Sequence, residues 1–140
     1  MAVNETKIKV RYAETDQMGV VHHSRYYPWF EVGRTELLAE GGLPYREIEE
    51  QGIMFPLVES SCKYKEGARY EDILIIKSFI DELKAAKFTM SYEVIREADM
   101  KILATGKTVH AITDKNLKLV NLKKVNIEVW NLLHSLSELQ

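Results

Sequence analysis

Residues 12–38, YAETDQMGVVHHSRYYPWFEVGRTELL, hold the reading on which the rest of the chain depends. The first half offers a carboxylate at Asp16, a glycine at Gly19 and adjacent histidines at His22 and His23. In the second half the pattern changes: Tyr26, Phe30, Gly33 and Leu37 recur at helical spacing, flanked by Tyr27, Trp29 and Leu38. A period of three to four with so broad an apolar stripe predicts a helix over residues 24–40, buried on more than one side. Pro28 marks its start, because proline lacks an N–H and clashes with the carbonyl four residues back. Gly41 and Gly42 supply the stop, since glycine tolerates the left-handed conformation of a helix C-terminus. The stretch is either loop packing ahead of a core helix or an active site placed at the helix start.

Outward from that helix, the pattern is mostly strand. Upstream, residues 5–12 alternate with Ile8 and Val10 on one side. Downstream, residues 44–51 predict a short helix with Pro44 in its first turn. Residues 57–65 set Val58, Ser60, Cys62 and Tyr64 opposite Leu57, Glu59, Ser61 and Lys63. Residues 72–83 contain the apolar run ILIIKSFI, suited to an interior strand. Residues 87–96 alternate cleanly through Phe88, Met90, Tyr92 and Val94, and residues 102–113 return after the turn EADMK. Short polar connections make antiparallel pairing the economical topology. Residues 123–139, with Val125, Val129, Leu132, Leu133 and Leu136, predict a terminal amphipathic helix. Strand, helix, then a strand meander is an α+β order.

Composition narrows the class. At 140 residues one domain spanning the whole chain is expected, and 46% hydrophobic with 29% charged residues is ordinary for a globular protein. No apolar run approaches the roughly 20 residues needed to span a bilayer, and the start MAVNETKIKV does not read as a secretory signal. No membrane association and a cytoplasmic location are the expectations. A single cysteine, Cys62, excludes an internal disulfide and a multi-cysteine zinc site. A net charge of −2 with dispersed cations argues against nucleic acid as a partner.

Glu14, Thr15, Asp16, Gly19, Val20, Val21, His22, His23, Tyr26, Phe30, Glu31 and Arg34 together resemble the motif of the hotdog-fold acyl-CoA thioesterases of the 4-hydroxybenzoyl-CoA thioesterase type. A second stretch, KYKEGARYEDILII, resembles that family's later strand-turn-strand segment, and the resemblance spans residues 5–120. The chain departs from the motif at His22, a position that is usually tyrosine in that family, and residues 121–140 gain nothing from the comparison. The resemblance implies a long central helix wrapped by a curved antiparallel β-sheet. It also implies a homodimer or homotetramer joined edge to edge, with an acyl-CoA substrate bound at the subunit interface.

Thioester hydrolysis needs a polarised carbonyl, an activated water or nucleophile, and a departing thiolate. Backbone N–H groups at a helix start lack intrahelical partners and suit a developing oxyanion; by resemblance the donor is the His23 N–H. Asp16 is the expected catalytic carboxylate, as general base or as nucleophile. The plainer alternative for Asp16 is a turn carboxylate satisfying backbone N–H groups. Gly19, Val20, His22 and Tyr26 are the expected substrate-binding neighbours, with Lys63 and Arg69 as cations for coenzyme A; Lys65 is a further candidate. Glu31 and Arg34 suit an ion pair on the helix. Asp16, His22 and His23 lack a fourth ligand at a usual spacing, so neither a metal nor another cofactor is expected. An acyl carrier protein thioesterase and a non-catalytic acyl-CoA binding module remain as rival functions.

Overall fold

The computed structural model describes residues 1–138. Five strands, β1 (Asn4–Lys9), β2 (Leu57–Tyr64), β3 (Ile73–Leu83), β4 (Lys87–Arg96) and β5 (Lys101–Ala111), form one antiparallel sheet in the order β1-β3-β4-β5-β2. The alternation read in the sequence sets its faces. Leu74, Ile76 and Ile80 of β3 and Phe88, Met90, Tyr92 and Val94 of β4 are all buried on the same side.

Helix α1 (Tyr26–Glu40) lies across that side. Phe30 stacks on Tyr92 with ring centroids 4.4 Å apart, and a side chain at Gly106 would run into the Phe30 ring. Gly33 likewise leaves room for Ser78, so two missing side chains let helix and sheet approach. Tyr26, Trp29, Leu37 and Leu38 join the core, while Pro28, Glu31, Val32, Thr35 and Glu36 are exposed. The helix is therefore buried on one broad face, not on several. This is the α+β arrangement, a long helix cradled by an antiparallel sheet, that the motif implied.

Gly42, at φ 101°, rather than Gly41, takes the left-handed position that ends α1. The Leu43 N–H then reaches back to the Leu38 carbonyl at 3.3 Å, closing the helix C-terminus. Helix α2 (Tyr45–Glu50) follows with Pro44 just ahead of it as its cap. The terminal segment divides into α3 (Leu122–Val125) and α4 (Ile127–Ser137), broken where the Asn126 side chain accepts the Val129 N–H at 3.1 Å. The break shifts the phase: Val129, Leu132, Leu133 and Leu136 are buried but Val125 is exposed. The expected end of that helix, Leu139, lies outside the described residues. None of the described helices is long and apolar enough to cross a membrane.

Edge strand β2 pairs only with β5, and every residue in it except Cys62 is exposed. At the opposite edge β1 stops at Lys9 instead of continuing to residue 12. The Glu14 carboxylate takes the Arg11 N–H at 2.8 Å and turns the chain through a 3₁₀ turn at Tyr12–Glu14.

Candidate active site

The segment between β1 and α1 is a loop stitched down on itself. Glu14 is its anchor: besides the Arg11 N–H, its buried carboxylate accepts the Trp29 indole N–H from α1 at 3.2 Å. Burial alone would raise the Glu14 carboxyl, but bonds from Arg11 and Trp29 outweigh it and hold the group below its ordinary value. The His22 N–H donates to the Glu14 carbonyl at 2.9 Å, and the Val21 N–H donates to the Ala68 carbonyl at 2.8 Å. These bonds fix both ends of a small hairpin.

Asp16 sits at the mouth of that hairpin. Its N–H donates to the Val20 carbonyl at 2.8 Å and its carbonyl accepts the Gly19 N–H at 3.0 Å. Its Oδ1 accepts the Met18 N–H at 2.8 Å. Gly19 has φ 81°, a conformation that any side chain would strain. The plainer expectation for Asp16, a carboxylate satisfying its own turn, is thus realised in one oxygen. The side chain is nonetheless half-exposed and borders a cleft of about 300 Å³.

Val20, Val21, His23 and Tyr26 line the same cleft, together with Tyr64, Lys65 and Gly67 from the end of β2 and the following turn. His23 opens a second 3₁₀ turn, His23–Arg25, that runs directly into α1. The first N–H groups of such a turn have no partners within it. His22 caps the turn: its Nδ1 accepts the Ser24 N–H at 3.2 Å and lies 2.8 Å from Ser24 Oγ. Its ring packs on His23 at 4.1 Å between centroids. The position at which the resemblance implies a tyrosine thus holds a capping histidine.

Other expected residues fall at different distances from the cleft. Arg69 extends its guanidinium over the hairpin, 3.6 Å from where a Gly19 Cβ would stand. Lys63 lies elsewhere: it lines a separate hollow of about 450 Å³ with Ser61, Phe79 and Lys107. Side chains alternate along a strand, so Tyr64 faces the cleft and its neighbour Lys63 cannot. Tyr64 was not among the expected site residues, although it stands in the second motif stretch; its hydroxyl is 3.5 Å from the His23 carbonyl. Partial desolvation, with the Cys62 thiol beside it, raises the phenol and keeps it a neutral donor. Among the described residues no three His, Cys, Asp or Glu side chains converge as a metal site.

Glu31 and Arg34 form no ion pair with each other among the described residues. Arg34 instead faces Tyr92 and His110 beneath the helix. There the Tyr92 hydroxyl lies 2.7 Å from Thr108 Oγ1, which lies 2.9 Å from His110 Nε2. His110 Nδ1 is 3.1 Å from the Phe55 carbonyl. A carbonyl only accepts, so Nδ1 carries the proton and a neutral His110 must accept at Nε2 from Thr108. Thr108 in turn accepts from Tyr92, which fixes the direction of the whole buried chain.

Residues 10–130 match the family model of the Thioesterase-like superfamily. The chain belongs to that family. It is 36% identical over 116 residues to YneP of Bacillus subtilis, a candidate acyl-CoA thioesterase, covering 82% of this chain and 83% of that protein. It is 32% identical over 101 residues to the acyl-CoA thioesterase YbgC of Haemophilus influenzae, covering 71% and 74%. The DHNA-CoA thioesterase of Staphylococcus aureus superposes with a TM-score of 0.88 at 29% identity, covering 96% of this chain and 90% of that one. Its hotdog fold is thus that of solved members of the superfamily.

Proposed function

We propose that the protein is a thioester hydrolase that converts an acyl-CoA to the free acid and coenzyme A. The observation that carries this reading is one shared cleft bordered by both the Asp16 carboxylate and the start of the His23 turn. A thioester carbonyl directed at the His23 N–H would place its developing negative charge on a donor already oriented by the fold. Asp16 takes the proton of a water that adds to this carbonyl, or adds to it directly and forms an acyl-enzyme anhydride that water then cleaves. In either route the tetrahedral adduct collapses with cleavage of the C–S bond, and the thiolate leaves to be protonated. Met18 orients the carboxylate by holding one oxygen, which directs the other at the substrate. Tyr26 and Val20 form the apolar wall, and Gly19 keeps the hairpin tight enough for the thioester to approach.

The functional unit is a dimer or a dimer of dimers. A sheet edge with all but one of its residues exposed is what pairing with a second copy would cover, and Tyr64 and Lys65 bring the cleft to that edge. The test of the activity is release of free thiol from a panel of acyl-CoAs, short and long, aliphatic and aromatic. Turnover of at least one member is the expected result. Tight binding across the panel with no thiol release would mark a binding module instead.

A further inference from the structure

Two of the chain's three Arg-Tyr dipeptides, Arg11-Tyr12 and Arg69-Tyr70, stand far apart in the sequence, and the fold sets them side by side. The Val10 N–H donates to the Asp72 carbonyl at 2.9 Å and the Glu71 N–H to the Val10 carbonyl at 3.1 Å, lacing the end of β1 to the turn ahead of β3. Tyr12 and Tyr70 then meet edge to face, 5.6 Å between centroids at 74°. They remain 76% and 53% exposed, so the pair stands in solvent rather than in the core.

The turn that carries Tyr70 is held in shape. The Arg69 N–H donates to Asp72 Oδ2 at 2.9 Å, the Asp72 N–H returns to the Arg69 carbonyl at 3.0 Å, and Glu71 has φ 69°. A non-glycine residue in that region is disfavoured and persists only where its surroundings impose it. Arg11 is tied to Glu14 at 3.4 Å. Arg69 forms no ion pair among the described residues, and its guanidinium overhangs the Asp16 hairpin at Gly19.

We infer that the Tyr12–Tyr70 pair, with Arg69, seats the adenine nucleotide of the coenzyme A thioester, an inference that rests on the acyl-CoA reading of the Asp16 cleft. A nucleobase stacks on an exposed aromatic ring whatever its edge pattern, and a guanidinium matches a phosphate with paired donors. Arg69 adjoins Tyr70 in the sequence and reaches the Asp16 hairpin at Gly19, so its guanidinium is placed to meet the phosphates between adenosine and pantetheine. Tyr12 is four residues from Asp16, so their Cα atoms are at most about 14 Å apart. An extended pantetheine arm covers such a span. An acyl carrier protein presents phosphopantetheine without adenine, so the platform selects coenzyme A as carrier.

The direct test is calorimetric titration of adenosine 3′,5′-bisphosphate into the full chain and into Tyr70→Ala, Tyr70→Phe and Arg69→Gln, each checked by a thermal melt. The wild type is expected to bind, Tyr70→Phe to retain affinity, and Tyr70→Ala and Arg69→Gln each to lose at least about fivefold. In parallel, the wild-type preference in kcat/KM for an acyl-CoA over the same acyl-pantetheine should fall by a similar factor in Tyr70→Ala. No bisphosphate binding, or equal binding by all variants, overturns the platform. Should Tyr70→Ala fail to fold, Arg69→Gln with wild-type affinity overturns it equally. Hydrolysis of both thioesters without a preference would remove the platform and leave the thioesterase reading standing. Bisphosphate binding with no thioester turned over would do the reverse.

Discussion

His22 Nδ1 accepts the Ser24 N–H at 3.2 Å, so the histidine caps the turn that begins at His23 and steadies the backbone that carries the proposed oxyanion donor. This separates the two contributions position 23 can make. His23→Ala keeps the N–H and should retain much of kcat. His23→Pro removes the N–H from the first position of a helical turn, where proline is tolerated. The preceding residue, at φ −64° and ψ 138°, already has the extended conformation that proline requires. Loss of one oxyanion donor is worth about 10²- to 10³-fold in kcat. Steady-state kinetics of both variants are the check; a deep loss in His23→Ala would point to the imidazole instead.

Assembly is tested at the exposed edge of β2. Light scattering at micromolar concentration should give the mass of a dimer or a tetramer. Ser60→Pro places a residue without an N–H in that edge strand and is expected to lower both assembly and turnover. A stable wild-type monomer with full activity would contradict an interfacial site.

The buried histidine makes stability depend on pH. Burial, with the Arg34 charge adding to it, lowers His110 from its ordinary 6.5 to about 4. The unfolded chain takes up a proton below about pH 6.5 that the folded protein refuses until about pH 4. Stability is therefore full above the upper value and falls as the pH drops between them, by about 3 kcal/mol in all. Denaturant midpoints from pH 7.5 to 4.5 should show this slope in the wild type and lose it in His110→Gln. Parallel profiles for the two proteins would contradict the assignment.

Much of this was legible before the structure because alternation reports which side chains share a face. For β4, residues 87–96 are both the expected and the observed strand. Alternation does not report what covers a face. Residues 57–65 read as an ordinary strand, yet β2 is an edge paired only with β5, and although Tyr26 of α1 meets its Tyr64, all of its residues but Cys62 stay exposed. The same geometry defeated Lys63, which a count of nearby cations includes but strand alternation turns away from Tyr64. His110 read as an isolated histidine because Tyr92, its partner through Thr108, arrives from the neighbouring strand. Arg34 has the spacing for an ion pair with Glu31, and only the packing of α1 on β4 and β5 shows that it serves the buried chain instead. In the candidate site, the motif offered Asp16 and His23, which the fold brings to one cleft, whereas the Glu14–Trp29 tie that holds their loop against α1 has no signature in a single sequence.

The proposed role of the Asp16 carboxylate is chemistry beyond holding its own turn. Asp16→Asn separates the two, because an asparagine Oδ1 can still accept the Met18 N–H that Asp16 accepts at 2.8 Å, while the charge and the basic lone pair are gone. General-base contributions are about 10²- to 10⁴-fold, and a lost nucleophile would cost at least as much. The measurement is kcat of Asp16→Asn on the best acyl-CoA, taken with a thermal melt and the mass of the same preparation. A fall of at least about 100-fold with the melting temperature and the oligomer retained is the expected result. A well-folded Asp16→Asn protein that turns over at close to the wild-type rate would contradict the account.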